Sequence, residues 1–237
     1  MTEKEDWGRR AQRGFLASGI DPGDRRGHKN YYIDFLQKMA LEEVLELKGD
    51  EIVLDFGCGS GRIAYWIAPQ VRRVFGLEVT SEMIQLAEQN RTAENVDFIL
   101  YDGVHFPVLP SAVDRLLSLG VLQIMGRESL KRTVCQLTQY LKPDGKMILI
   151  EQASDNPKVD RPKLQEYLDA FAEARLACLL QYPIRRGRSG LLYLIRYGWI
   201  PKTWLRLMAR RELRTIREEK GTIGYYKDFL FLLEKRS

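Results

Sequence analysis

The stretch Val53 to Arg62, VLDFGCGSGR, concentrates the chain's capacity for chemistry: an apolar run ends in an acid, Asp55, and passes into glycines at 57, 59 and 61. Three such flexible residues in so short a space are costly for a plain turn. Their use is to let a ligand lie against backbone that any Cβ would hold off, at the carboxyl end of a buried strand. A dinucleotide fingerprint, G-x-G-x-x-G, would need glycine at 62, where Arg62 stands, and no G-x-x-x-x-G-K-[ST] phosphate loop occurs. Cys58, inside the loop, reads as a small filler rather than a nucleophile. Cys135 and Cys178 are scattered, form no C-x-x-C and match no zinc spacing, so neither a metal site nor a disulfide framework is expected.

The elements that must hold this loop surround it. Apolar runs at EIVLDF, RVFGLEV, VDFILY, VDRLLSL and KMILIEQ alternate with the helix-like segments RIAYWIA, SEMIQLAEQN and ESLKRTVCQLTQYL. That alternation predicts an α/β fold, a largely parallel sheet with helices on both faces. Upstream, Tyr31 to Leu47 places Ile33, Leu36, Met39, Ala40, Val44 and Leu47 on one helical stripe. KPDG, Lys142 to Gly145, is expected to end a helix and turn sharply into the next strand. Beyond Glu151 the pattern predicts a helix from about Val159 to Ala174, a strand near CLLQYP and a last strand at KDFLFLLEK. Between those two strands lie about forty residues that a simple sheet does not require.

Composition fits one large domain: 237 residues, 45% of them hydrophobic. Residues 1–30 are polar and rich in turn chemistry and read as an arm or lid, leaving 31–237 as the domain, with an insert at about 185–221. The overall charge of +5 is uneven: between Pro183 and Lys220 eleven basic residues face three acidic ones, a local +8 that leaves about −3 for the remainder. The same stretch interleaves its arginines with Leu191, Leu192, Leu194, Ile195, Trp199, Ile200, Trp204, Leu205, Leu207 and Met208. Such a composition suits an amphipathic lid, a surface lying on anionic lipid, a site for an acidic substrate, or a cap whose arginines are simply solvated. No run reaches the roughly 18 apolar residues of a spanning helix, and the amino-terminal segment lacks an apolar core after its basic residues. A cytoplasmic protein, with the inner membrane face open as a location, is expected.

VLDFGCGSGR closely resembles motif I of the class I S-adenosylmethionine-dependent methyltransferases, and the downstream segments fall where that family would put them. The resemblance covers about Tyr31 to Gln152 and extends to a plausible antiparallel last strand, implying a Rossmann-like seven-stranded sheet and S-adenosylmethionine as cofactor. Glu78, ending the second strand, would accept hydrogen bonds from both ribose hydroxyls. Asp102, ending the third, resembles the acid that accepts from the adenine amino group, with Gly103 and Val104 bracketing the ring and Val79 beside Glu78. Asp55 would organise the loop of Gly57, Cys58, Gly59 and Gly61 and reach the methionyl ammonium through a water. Leu119 and Gly120 would lie beneath the sulfonium, and Tyr31 would close on the methionyl carboxylate.

Methyl transfer from a sulfonium needs positioning and desolvation above all, and sometimes a base. His28, in the segment before the first helix, and Glu151, at the carboxyl end of the fifth strand, are the candidate bases; His105 reads as structural. Where amino-adenine methyltransferases carry N/D-P-P-Y/F, this chain has LGVLQ, and no Pro-Cys nucleophile of the cytosine type is present, which disfavours nucleic acid. The expected acceptor is a hydroxyl or phosphate oxygen on a sugar-containing, lipid-linked or otherwise anionic molecule, with a faint resemblance of the insert to bacterial methyltransferases of cell-surface glycan assembly. Two alternatives stand beside it: a small-molecule N- or O-methyltransferase of secondary metabolism, and a cofactor-binding module or accessory subunit without transfer. Oligomeric state is not legible.

Overall fold

The computed structural model describes residues 3–105, 107, 113–219, 223 and 225–235, with side chains from residue 6 onward. Three helices, α1 (Glu3–Ala11), α2 (Phe15–Gly19) and α3 (His28–Glu42), precede β1 (Ile52–Phe56). Then follow α4 (Arg62–Ile67), β2 (Arg73–Glu78), α5 (Ser81–Gln89), β3 (Val96–Leu100), β4 (Val113–Leu119), α6 (Arg127–Tyr140) and β5 (Leu141–Ala153). The chain continues through α7 (Leu164–Glu173), β6 (Leu176–Arg186), α8 (Gly190–Arg196), α9 (Lys202–Arg217) and β7 (Lys227–Lys235).

The strands form one sheet in the order β3-β2-β1-β4-β5-β7-β6, with β7 antiparallel to both of its neighbours and the other pairs parallel. After β3 the chain returns to pair β4 against the free side of β1, so the winding reverses there. The carboxyl ends of β1 and β4 diverge at that point and leave a crevice, which is where open α/β sheets bind ligands.

Strand periodicity explains the core. Val53, Ile148, Leu230 and Leu232 point to one face, where they meet Leu36, Ala40, Ile63, Ile67, Leu205 and Leu213 from α3, α4 and α9. Their neighbours Leu54, Leu149, Phe229, Phe231 and Leu233 point to the other, against Leu130, Val134, Leu137, Tyr167 and Phe171 from α6 and α7. Fully burying one such large apolar side chain stabilises the fold by about 1.5–3 kcal/mol.

Several boundaries differ from expectation. The helix expected from Tyr31 begins at His28, because Gly27 (φ 70°) supplies the left-handed entry, and it ends at Glu42 while Val44 and Leu45 stay buried beyond it. The helix expected from Val159 starts only at Leu164, after Pro162, with the Glu166 carboxylate accepting from the Lys163 N–H. KPDG is not a turn outside the sheet: it bulges within β5, whose pairing to β4 shifts between Val113↔Leu141 and Arg115↔Lys146. Arg185 and Arg186 belong to β6, so the added segment is the pair α8 and α9; the end of the expected insert at residues 220–221 lies outside the described residues. The amino-terminal arm folds into α1 and α2.

Polar anchors tie this added pair to the sheet. Glu212, on the buried face of α9, accepts from the Tyr32 hydroxyl (2.5 Å) and from the Arg186 N–H (3.1 Å). Arg185 of β6 and Asp228 of β7 are register partners and form a buried bidentate ion pair, with Nε and Nη2 each 2.9 Å from a carboxylate oxygen. Removing one partner strands a buried charge, at about 3–5 kcal/mol. Asp228→Ala is therefore expected to lower stability in urea by that amount, and the matched change Arg185→Met with Asp228→Leu to recover most of it.

Candidate active site

The bend after β1 is built from three left-handed glycines, Gly57 (φ 68°), Gly59 (φ 53°) and Gly61 (φ 80°). They are not alike. A Cβ on Gly57 would lie 2.3 Å from Val121 Cγ2, and one on Gly61 would lie 2.7 Å from Phe98 Cζ, so these two give way to the protein's own side chains. Gly59 has nothing within 4 Å of that position and is the glycine whose bare backbone faces open space.

The bend is pinned on all sides. The Gly57 and Cys58 N–H groups donate to the Leu77 carbonyl (2.8 and 3.0 Å). The Gly59 N–H donates to Glu78 Oε2 (3.0 Å), while Glu78 Oε1 accepts from Val79 and Thr80 N–H (2.9 and 3.0 Å). The Ser60 hydroxyl donates to the Phe15 carbonyl at the start of α2 (2.6 Å). Arg62, the first residue of α4, is buried and donates to Asp34 (2.9 Å) and Gln37 (2.6 Å) of α3.

These elements enclose a cavity of about 340 Å³, within the range of roughly 300–1,000 Å³ usual for small-ligand pockets. Asp55, Gly57, Cys58, Gly59, Glu78, Val79, Asp102, Gly103, Leu119 and Gly120 all line it. Gly61 is the residue that precedes and caps α4. Asp55 is buried with Oδ2 lacking any hydrogen-bond partner, and burial pushes its pKa up to about 7 against the pull of Arg62. Burial likewise raises Glu78, with the Gly59 and Val79 N–H groups opposing. The exposed Asp102 is held below the usual carboxylate range by the N–H and ring of His105 and by the Val104 N–H. Cys58 is buried and its thiol is pushed well above the ordinary value by that burial, which leaves it a packing residue.

Four sequence candidates lie elsewhere. Glu151 is fully buried and absent from this cavity's wall; its carboxylate accepts the N–H groups of Val121 (3.1 Å), Leu122 (3.1 Å) and Gln123 (3.0 Å), which orders the turn after β4. Burial pushes it up to about 8, and the three donors oppose that shift. His28 opens α3 beside Gly198 and is absent from the cavity wall, because the left-handed Gly27 directs the chain into the helix there. Tyr31 stacks on Phe35 (6.5 Å, 12°) against the core. Val104 is solvent-exposed and outside the wall, since the turn that Asp102 caps carries it outward.

Other wall residues were missed by the sequence reading: Trp7 and Gly19 from the arm, Arg62 and Ile63 from α4, Met83 from α5, and Tyr101, Ile124 and Met125. Their only signal was position, next to expected strand ends or inside a segment with no strong periodicity.

A methionyl sulfonium nucleoside fits these groups. The unpartnered Asp55 oxygen can take an ammonium, the open Gly59 backbone can lie along an amino-acid tail, and Glu78 and Asp102 offer carboxylates to a ribose and an adenine. Comparisons with known proteins agree in kind. Residues 53–145 match the family model of a methyltransferase domain. A curated protein described as an uncharacterized RNA methyltransferase, from Clostridium tetani, is 32% identical over 94 residues, 38% of this chain and 20% of that protein. The chain thus spans a fifth of that relative's length. Among solved structures, a geranyl diphosphate C-methyltransferase from Streptomyces coelicolor superposes with a TM-score of 0.69 at 15% identity, covering 100% of this chain and 99% of that one. The [4+2]-cyclase SpnF superposes at 0.64 with 17% identity, over 85% and 80%. At such identities these likenesses concern the fold.

Two outcomes follow. Binding of a ligand ammonium to Asp55 requires the carboxylate, so calorimetric affinity for S-adenosylmethionine should fall by up to about tenfold per unit as pH drops from about 7 to about 5.5, and Asp55→Asn should flatten that dependence. Glu151→Gln leaves a buried N–H unanswered, about 1–3 kcal/mol, and should lower the melting temperature by roughly 2–10 °C without removing a limb from any pH–rate profile.

Proposed function

Taking as premise that this chain belongs to the class I S-adenosylmethionine-dependent methyltransferases, we propose that it transfers a methyl group to an oxygen of a small anionic acceptor, sugar-containing or lipid-linked. S-adenosylmethionine, when bound, supplies an electrophilic methyl on a sulfonium. Asp55, Gly59, Glu78 and Asp102 are the residues proposed to hold it. The observation that carries the acceptor class is a second chamber against the first. This inner chamber of about 250 Å³ shares Trp7, Gly19, Arg62, Leu119, Gly120 and Ile124 with the cofactor cavity, and adds Arg10, Lys29, Arg161 and Arg185.

Arg10 Nε is buried without a hydrogen-bond partner, its guanidinium lies over the Trp7 ring (4.1 Å), and burial lowers its pKa. An anion supplies the missing acceptor. Arg161 donates to Gln152 Oε1 (2.8 Å) and to the Asp160 carbonyl (2.6 Å), and with Lys29 and Tyr226 it also lines an outer chamber of about 480 Å³. Lys158, Arg188 and Arg196 extend the basic lining outward, where Asp21, paired with Lys29 (2.8 Å) and Arg196 (3.7 Å), and Asp160 also stand.

Among the described residues the only carboxylate on the inner chamber wall is Asp228, already engaged by Arg185. An acceptor oxygen that arrives ionised, as in a phosphate, needs no base, which favours it over a hydroxyl. The chain's part is then positioning and exclusion of water. Trp7 forms part of the wall of both cavities, and Glu151 fixes the turn whose Gln123 side chain accepts from the Gln152 N–H (2.8 Å).

The test is release of S-adenosylhomocysteine across paired acceptors, phosphorylated and neutral. Turnover of the phosphorylated members is expected, with Arg10→Gln raising KM about tenfold or more and leaving cofactor affinity unchanged. Turnover of neutral alcohols or of RNA alone contradicts the reading.

A further inference from the structure

Helix α9 has two faces of different character. Leu205, Ala209, Glu212, Leu213 and Ile216 are buried against the sheet and α3, as helical spacing requires. The opposite face is neither apolar nor merely charged: Trp204 is 63% and Leu207 68% exposed, followed one turn on by exposed Arg210, Arg211 and Arg214. The turn leading into it carries Trp199, 77% exposed, and the end of α8 adds exposed Tyr193, Leu194 and Tyr197. The Trp199 N–H donates to the Leu194 carbonyl (3.1 Å), which closes the turn between α8 and α9. Basic residues flank it on the other side as well: Arg26 donates to the Tyr197 carbonyl, and Arg25 is exposed next to it.

We propose that α8, the turn at Trp199 and the outer face of α9 form a surface that lies on an anionic lipid bilayer. Tryptophan, tyrosine and leucine held outward on a rigid support partition to the level of the headgroups, and neighbouring arginines meet the negative surface potential. The charge selects the partner: a run this basic repels a second copy of itself, while anionic lipid answers both its apolar and its cationic halves. Among the described residues no helix is long and apolar enough to cross a membrane, so the contact is peripheral.

The surface also adjoins the acceptor route. Tyr193 and Arg196 of α8 line the outer chamber, so a bilayer on this side sets the chamber mouth beside its headgroups. That last consequence rests on the acceptor reading above; the lipid contact does not.

The experiment is co-sedimentation of the full chain with phosphatidylcholine vesicles and with vesicles containing about a quarter phosphatidylglycerol. Binding to the anionic vesicles alone is expected, weakening with salt. Arg210→Glu, Arg211→Glu and Arg214→Glu together should reduce it roughly 100-fold, and Trp199→Ser, Trp204→Ser and Leu207→Ser together by about tenfold or more. All six positions are exposed, and an unchanged unfolding midpoint and unchanged S-adenosylmethionine titration on the same samples show the fold and the cofactor cavity intact. Protein left in solution with both vesicle types overturns the proposal, as does binding that the six substitutions do not affect. So does association with an RNA oligonucleotide or with a second copy through these residues in the absence of vesicle binding.

Discussion

The carboxylate of Glu78 is the tie on which the site depends. It ends β2, yet one of its oxygens holds the Gly59 N–H of the bend after β1, and the other holds the first two N–H groups beyond its own strand. Two parallel neighbours, β1 and β2, are thereby locked at their carboxyl ends, beside the crevice between β1 and β4. A buried carboxylate is unfavourable without such donors, and the left-handed bend is unfavourable without such an acceptor, so each makes the other tenable. On the same cavity wall Asp55 Oδ2 is buried without a hydrogen-bond partner.

Much of this architecture was legible in the residues. The apolar runs marked seven strands, and the resemblance to the family's motifs singled out Asp55, Glu78 and Asp102, which line one cavity. What escaped was set by packing. Glu151 stands at a strand end like the others, but no local pattern reveals that three N–H groups of the turn after β4 converge on it. His28 looked mobile because the segment before it is rich in glycine and charge, whereas Gly27 commits it to the helix expected only from Tyr31, whose own ring stacks on Phe35. The arm's contribution through Trp7 depends on where α1 docks, which nothing in its own sequence specifies.

The glycines repay separate attention for the same reason. Sequence suggests one purpose for all three, approach of a ligand. Two of them instead clear Val121 and Phe98, residues from β4's turn and from β3, and of the three only Gly59 has open space where a Cβ would stand. The motif therefore records the packing of three strands as much as the shape of a ligand. The chain's arginines divide similarly: Arg185 is an internal strut, Arg161 and Arg10 border a chamber, and the exposed arginines of α9 face outward. A single charge count conceals three roles.

The most direct measurement is a crystal structure of the protein soaked with S-adenosylhomocysteine. The account predicts its amino group against Asp55, its tail along the Gly59 backbone, its ribose on Glu78 and its adenine beside Asp102 and Gly103. A cavity left empty at saturating ligand, or one that instead takes up a nicotinamide dinucleotide, would contradict it.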